Sequence, residues 1–291
     1  MAGPPHPVGT HVNGVRPGVW QRLRRDQRAI VGGGVLLLLI LVLIVGPYMY
    51  RVSPTSLDLA LVGAPPSWQH WLGTDENGRD VLSRLLHGGR VSLAVGGLAV
   101  AFALLLGGSL GAMAGFRPGP LDTVLMRATD AMLSMPTIFV VITALAFFGS
   151  TLGALVLTIG GTAWMGLARL VRGELLSIRE HAYIEAARTL GQSGWALFAR
   201  HMLPQLTPTI LVGVTVGVGT AILTESALSY LGIGVQPPAA SWGNMLSTAQ
   251  SYFTAYPHLV ILPGAMIFLT VVSVNVLGDA LRDAADPREP G

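Results

Sequence analysis

Residues 131–168 read AMLSMPTIFVVITALAFFGSTLGALVLTIGGTAWMGLA, and this stretch contains no charged residue. An α-helix rises about 1.5 Å per residue, and roughly 20 apolar residues cross the hydrocarbon core of a bilayer, which is about 30 Å thick. The stretch has 38 residues, which is nearly twice that length. It therefore predicts two membrane spans joined by a hairpin, with the turn at residues 148–153, where glycines permit it.

Four more apolar runs have the length of a membrane span. They are residues 30–50, 91–114, 206–223 and 259–277. The second run is rich in glycine and alanine, which let helix backbones approach closely in lipid. The last contains Pro263, which membrane helices tolerate better than soluble ones. The count is six spans, and the predicted fold class is an all-α integral membrane protein.

Composition excludes several classes of function. The chain is 51% hydrophobic and 11% charged, whereas soluble domains carry about 25% charged residues. It has neither cysteine nor lysine, so that thiolate metal sites, a P-loop lysine and Schiff-base chemistry are excluded. The histidines show no metal-binding spacing, and neither G-x-S-x-G nor H-E-x-x-H occurs. We therefore predict no catalytic residue, no metal site and no cofactor in this chain.

The arginines indicate the orientation in the membrane. Six spans place both termini on one side, and cytoplasmic loops carry an excess of Arg and Lys. With the termini in the cytoplasm, 14 of the 18 arginines lie inside, and only Arg51, Arg79, Arg84 and Arg90 lie outside. This asymmetry also accounts for the net charge of +3, and it leaves no reason to expect nucleic-acid binding. We predict a multi-pass protein of the bacterial inner membrane.

The spans divide the chain into five parts. The first run lacks a small-residue cleavage pattern, so we expect it to be retained and not removed as a signal peptide. The predicted parts are a cytoplasmic tail (1–28), a first span (29–50), an extracytoplasmic segment (51–90), a five-helix core (91–280) with a connecting loop at 181–204, and a cytoplasmic tail (281–291).

The loop at 181–204 carries the most specific pattern in the chain. It reads EAARTLG over residues 185–191, then nine residues, then HMLP over residues 201–204. Tyr183, Ala186 and Leu190 fall on one helical stripe. Gly191 allows a sharp turn after the helix, and Pro204 suits the first turn of the next one. The pattern fits a helix that a partner protein holds, or an amphipathic connector on the membrane surface.

This pattern resembles the EAA loop of ABC importer permeases, E-A-A-x-x-x-G-x9-I-x-L-P, with His201 in place of the usual aliphatic residue. The resemblance implies a type I ABC importer permease, in which the loop forms a cytoplasmic coupling helix that docks on an ATPase subunit. The coupling residues that it implies are Tyr183, Glu185, Ala186, Ala187, Leu190, Gly191, His201, Leu203 and Pro204.

Three other stretches are similar to the C-type subunit of dipeptide and oligopeptide permeases. They are residues 71–84, 225–243 and 278–288, although Ala285 replaces the usual leucine. The resemblance implies a B-type permease partner, two ATPase subunits or one fused ATPase that bind ATP and Mg, and an extracytoplasmic substrate-binding protein. Peptide is the expected cargo, and glutathione, a nickel chelate or an opine remain open.

Polar residues inside spans are costly and often functional. We consider Glu225 and Ser226 as parts of an outer gate, because a Gly-, Pro- and Trp-rich stretch follows them and resembles a re-entrant segment that lines the passage. The alternative is a carboxylate that tethers a helix end. Asp130 is another candidate residue of the gate or passage, and the favoured alternative is that it pairs with an arginine such as Arg127, one turn away. Asn275 either bonds across helices or faces the passage.

Two other classes of membrane protein fit the sequence less well than a permease. A secondary transporter uses buried carboxylates and discontinuous helices, often with a repeat between halves, and Glu225 alone supports it weakly. An intramembrane enzyme needs paired catalytic groups at membrane depth, and the sequence shows none. The loop at 181–204 favours the permease.

Overall fold

The computed structural model describes residues 19–285, and within them the chain forms helices and no named strand. Residues 1–18 and 286–291, which belong to the two predicted tails, lie outside the described residues. The helices are α1 (Val19–Leu23), α2 (Gln27–Met49), α3 (Val81–Phe116), α4 (Pro120–Leu133), α5 (Thr137–Phe148), α6 (Leu152–Arg179), α7 (Ala182–Thr189), α8 (Gly194–Leu197), α9 (Leu203–Tyr230), α10 (Trp242–Ala249) and α11 (His258–Ala285).

The helices confirm the all-α membrane fold. Among the described residues, five stretches are long and apolar enough to cross a membrane, and there are six if the bent pair α4–α5 counts as one span. The fifth and sixth spans are longer than predicted, since α9 and α11 have 28 residues each. α11 continues through Pro263. We call the end of the bundle that carries α7 the inner end and the opposite end the outer end.

The third span is broken. α4 and α5 meet at an angle of 84°, and Pro136 lies at the break as the N-cap of α5. Proline lacks an N–H and its ring clashes with the preceding turn, so it does not fit a helix interior. α5 has 12 residues and is about 18 Å long. The uncharged stretch therefore holds one half-span and one full span, where the sequence predicts two full spans.

The predicted hairpin in that stretch is confirmed. α5 ends at Phe148 and α6 begins at Leu152. Gly149 has a φ of +79°, a left-handed conformation that glycine adopts without steric cost. Thr151 caps α6 by accepting a hydrogen bond from the Ala154 N–H at 3.2 Å.

α3 begins ten residues earlier than the predicted second span, at Val81 instead of Val91. The hydropathy of this first part is low because it contains Arg84 and Arg90, yet Arg84 is only 2% exposed. The Arg84 Nε atom lies 3.4 Å from the Asp75 carboxylate. Hydropathy counts Arg84 as a charge and therefore starts the span too late. Because Arg84 is buried and paired, α3 includes it.

Asp80 fixes the start of α3. Its carboxylate accepts hydrogen bonds from the Ser83 N–H at 2.7 Å and from the Tyr50 hydroxyl at 2.7 Å, and His70 Nδ1 lies 2.8 Å away. The outer end of α2, the segment after it and the start of α3 are therefore tied to one carboxylate.

α3 and α6 form the most extensive helix pair of the bundle. Gly107, Gly111 and Gly115 recur every four residues on α3 and face α6. A methyl group at Gly107 or Gly111 would collide with the backbone carbonyl of Trp164 or Ala168. Small residues at this spacing let membrane helices pack with their backbones in contact, as the glycine content of the run predicts.

Candidate functional site: the coupling helix and the cavity

Helix α7 lies between α6 and α9 and has one buried and one exposed face. Ile184 is fully buried and Ala187 is 8% exposed, and both pack into an apolar cluster with α6 and α9. Tyr183, Ala186 and Leu190 are exposed, and Leu190 is 83% exposed. The predicted stripe is therefore the free side of the helix, and it presents apolar side chains.

The two alanines of the pattern point in different directions. The sequence interpretation places both Ala186 and Ala187 on the docking surface, but Ala187 lies three residues after the buried Ile184 and shares its face. Only Ala186 faces outward. Glu185 is exposed in the first turn of α7, where the helix dipole favours a carboxylate.

The turn after α7 has the conformation that the sequence predicts. Gly191 has a φ of +78°, and no atom lies within 4 Å of the position that a Cβ would take. The backbone conformation, and not a close contact, is therefore what favours glycine here.

An aromatic and amide cluster connects α7 to the start of α9. The Gln205 side-chain amide donates a short hydrogen bond to the Tyr183 hydroxyl, and the ring of Tyr183 lies 6.4 Å from that of His201. His201 Nε2 lies 3.1 Å from Gln192 Oε1. His201, which replaces an aliphatic residue of the EAA pattern, thus makes a polar contact inside the loop that an aliphatic residue could not make.

The chain between α8 and α9 contains one π-helical turn, Phe198–Met202. Single π turns inside helices are frequent at functional sites. Leu203 and Pro204 follow as the first residues of α9, in agreement with the predicted position of the proline. The coupling loop therefore leads through this turn directly into a membrane-spanning helix.

A cavity of about 1180 Å³ lies beside α9. It is bounded by α5, α6, α9 and the inner end of α11, and it extends from Pro204 at the inner end to Thr224. Its charged lining residues, among those described, are Glu174 and Arg282. The polar remainder is mostly threonine, namely Thr137, Thr162, Thr209, Thr220 and Thr224. α9 thus connects the coupling loop to the wall of the cavity.

Glu225 does not line this cavity, although its neighbour Thr224 does. Its side chain is fully buried and accepts hydrogen bonds from the hydroxyls of Ser92 at 2.9 Å and Ser229 at 2.7 Å. The Ser226 hydroxyl lies 3.5 Å away. The carboxylate therefore ties α9 to α3. Of the two roles predicted for Glu225, an outer gate or a tether of a helix end, this contact fits the tether.

The stretch after Glu225 packs beside the bundle. The backbone N–H groups of Trp242 and Val235 donate to Ser92 Oγ at 3.3 Å and to Ser229 Oγ at 2.9 Å. Trp242 is fully buried, and its indole N–H donates to the Leu85 carbonyl at 3.1 Å. α10 packs against α3, α9 and α11, and residues 231–249 contribute nothing to the lining of the cavity.

Asp130 pairs with Arg169 of α6 and not with Arg127, which corrects the sequence prediction. Arg169 approaches from the facing helix, whereas Arg127 lies on the same helix. A second pair, which the sequence interpretation missed, joins the same helices: Arg172 contacts the Asp122 carboxylate through two hydrogen bonds of 2.5 and 2.8 Å. The signal for these pairs is the two arginines three residues apart, directly after the uncharged stretch 131–168.

Asn275 is exposed on α11 and does not line the cavity. A methyl group at Gly219 of α9 would lie 3.2 Å from Asn275 Oδ1. Among the described residues Asn275 has no side-chain hydrogen bond to another helix, so neither of its two predicted roles is shown.

Residues 107–289 match the family model described as the inner membrane component of binding-protein-dependent transport systems. The match covers more than half of the chain. The chain belongs to this family. Residues 18–66 also match the model for the N-terminal transmembrane domain of oligopeptide transport permease C. The permease is thus recognised over both its first span and its core.

Relatives with similar sequences cover almost the whole permease. A glutathione transport system permease protein of Pectobacterium atrosepticum is 38% identical over 92% of this chain and 90% of its own length. A dipeptide transport system permease protein of Bacillus subtilis is 37% identical over 92% and 84%. An oligopeptide transport system permease protein of Bacillus subtilis is 38% identical over 92% and 88%.

Solved structures show the same fold. The methionine ABC transporter MetNI, in inward-facing conformations, contains a chain that matches with a TM-score of 0.60 and 20% identity. That match covers 70% of the permease and 97% of the other chain. An amino acid ABC transporter matches with a TM-score of 0.55 over 69% and 94%. The permease therefore has the type I ABC importer fold.

Proposed function

We propose that this permease forms one half of the passage of a peptide importer and is driven through α7 by separate ATPase subunits. The observation that carries this proposal is the continuity from the exposed face of α7, through the π-helical turn, into α9, which walls the cavity. A force applied to α7 would therefore act directly on the cavity wall. The names of the relatives support a peptide or peptide-like cargo.

The ATPase subunit would hold the exposed stripe of α7. Tyr183, Ala186 and Leu190 offer apolar contact around a small residue, and Glu185 adds a charge beside them. An amphipathic helix laid into a groove of a partner is a common recognition mode. The chain contains no lysine, so ATP and Mg would be bound by the two ATPase subunits, or by one fused ATPase.

The remaining partners follow from the half-passage and the orientation. This chain alone does not enclose the cavity, and a B-type permease would supply the second wall. The arginine asymmetry supports cytoplasmic termini, and with that orientation α7 would lie in the cytoplasm and α10 outside. A substrate-binding protein would deliver cargo at the outer end.

The test is co-purification of the permease with its B-type and ATPase partners. We expect the double variant Glu185→Arg, Gly191→Asp to lose the ATPase while it keeps the B-type permease, because a reversed charge and a strained turn disturb only the exposed face. Glu180→Arg is the matched control, since Glu180 is an exposed carboxylate just before α7. Full retention of ATPase binding by the double variant would contradict the proposal.

A further inference from the structure

Three threonines of the cavity wall each use the hydroxyl proton in a hydrogen bond to a backbone carbonyl of their own helix. Thr162 Oγ1 donates to the Ile159 carbonyl at 3.0 Å, Thr220 Oγ1 to the Val216 carbonyl at 3.0 Å and Thr224 Oγ1 to the Thr220 carbonyl at 2.8 Å. A hydroxyl has one proton and two lone pairs. Toward the cavity these side chains therefore offer acceptors and no donor.

Three more lining residues at the inner end add hydrogen-bond acceptors to the cavity wall. One N–H of the Gln205 side-chain amide donates to the Tyr183 hydroxyl, so the side chain keeps one acceptor, its carbonyl oxygen, and one donor, its second N–H. His181 Nδ1 lies 3.0 Å from the Ile178 carbonyl, so Nδ1 carries a proton and Nε2 of the neutral ring is an acceptor. Glu174, when ionised, is an acceptor and a negative charge.

Few donors balance these acceptors. Arg282 is the one charged donor of the lining among the described residues, and it is an exposed side chain at the inner end. Thr137 and Thr209 line the cavity without an intrahelical hydrogen bond, so that their hydroxyls are able to donate. Along α9 and α6 the wall accepts at Thr220, Thr224 and Thr162, and Thr220 and Thr224 are about 6 Å apart along the axis.

We propose that this half of the passage is a hydrogen-bond-accepting surface that favours cargo rich in N–H donors, such as neutral or cationic peptides, over anionic cargo. An ammonium or amide N–H finds an acceptor at successive turns of the wall. A cargo carboxylate finds no donor at Thr162, Thr220 or Thr224, and it loses hydration there without replacement. The inference rests on the proposed function, and it separates two of the open cargo classes, since glutathione is a peptide with net negative charge.

The test uses the complete importer in proteoliposomes with its binding protein. The transport rate is measured for tripeptides with a central lysine, glutamine or glutamate. It is measured for the native complex and for the double variant Thr220→Val, Thr224→Val. Each variant rate is divided by the native rate for the same peptide, so that the selectivity of the binding protein cancels. Thr158→Val is the matched control, because Thr158 bonds to the Ala154 carbonyl in the same way but does not line the cavity.

All three peptides share backbone N–H groups and an N-terminal ammonium, so only the difference between them tests the inference. We expect the double variant to slow the lysine peptide about threefold more than the glutamate peptide, the size expected for one lost hydrogen bond, with the glutamine peptide between them. Thr158→Val should leave all three rates unchanged. Equal changes for all three peptides, or a selective loss of the glutamate peptide, would overturn the inference. If the double variant does not assemble, the same three transport rates are measured for the variants Thr162→Val and Glu174→Gln.

Failure of the inference can be distinguished from failure of the proposed function. A native complex that transports none of the peptides contradicts the proposed function itself. A native complex that transports them, with charge-independent effects of the threonine variants, contradicts only the accepting wall.

Discussion

Two segments at opposite ends of the permease are stabilised in opposite ways. They are residues 225–249 at the outer end, which we call the outer loop, and residues 181–204 at the inner end, which we call the inner loop. At the outer end, Trp242 and Glu225 are fully buried, and Ser241 and Asn244 form a reciprocal capping box. At the inner end, Leu190 is 83% exposed, and Trp195 is 74% exposed. The outer loop satisfies its own groups, whereas the inner loop leaves large apolar side chains uncovered.

This difference indicates where the permease depends on other proteins. Exposed apolar side chains that cluster on a polar loop mark interaction sites. A loop whose polar groups bond within the chain keeps its shape without a partner. We therefore expect outer-loop variants to change stability first, and inner-loop variants to change assembly first.

The largest expected difference in stability is between variants of two tryptophans, Trp242 in the outer loop and Trp195 in the inner loop. Trp242→Ala should lower the free energy of unfolding by about 4 kcal/mol, because it removes a fully buried ring. Trp195→Ala should change it by less than about 0.5 kcal/mol, because that ring is largely exposed. Thermal unfolding of the purified permease in detergent measures both. Similar losses from the two variants would remove the contrast between the ends.

The two faces of α7 give the second comparison. Ile184→Ala should cost about 3 kcal/mol of stability, because Ile184 is fully buried. Leu190→Ala should leave the melting temperature unchanged and weaken ATPase binding about tenfold, as for an apolar anchor at an interface. Unfolding and a binding titration with the ATPase separate the two effects. A Leu190→Ala permease with reduced stability and native ATPase affinity would reverse the assignment of the faces.

The serine that bonds Glu225 gives a smaller effect. Ser92→Ala should cost about 1.5 kcal/mol, because it removes a hydrogen bond to a buried carboxylate and an acceptor for the Trp242 N–H. Ser109→Ala on the same helix should cost almost nothing, since Ser109 is exposed and bonds only to its own helix. Equal melting temperatures for the two variants would show that the tether at Glu225 contributes no stability.

The smallest effect is expected at the two ion pairs between α4 and α6. The Asp130 and Arg169 side chains are each 50% exposed, and exposed pairs contribute about 0–1 kcal/mol. The Asp122 side chain is 9% exposed and is held by two hydrogen bonds. Asp122→Asn should therefore lower the melting temperature more than Asp130→Asn, and the opposite order would contradict this assignment.

Hydropathy and spacing predict most of the fold. The hairpin at 148–153 and the exposed stripe of α7 follow from local sequence, because glycine conformation and helical periodicity are local properties. The early start of α3 does not, since hydropathy counts Arg84 as a charge and cannot register its burial beside Asp75. Pro136 is a local signal for the break between α4 and α5. However, α11 continues through Pro263, so the presence of a proline does not by itself distinguish a broken helix from a continuous one.

The site is predicted less completely than the fold. The sequence identifies Glu225 as a buried carboxylate but not its partner Ser92, which is 133 positions away. Asp130 is assigned to a neighbour on its own helix because periodicity reveals only contacts within a helix. The accepting polarity of the cavity wall depends on which threonines bond to their own backbone, and this requires coordinates.

The central claim is that the exposed face of α7 receives the ATPase, and cysteine labelling tests it most directly. The chain has no native cysteine, so Leu190→Cys provides one reactive thiol on that face, and Phe253→Cys provides an exposed control at the outer end. We predict that added ATPase protects Leu190→Cys from a maleimide reagent and leaves Phe253→Cys unprotected. Unchanged labelling of Leu190→Cys in the assembled complex would contradict the claim.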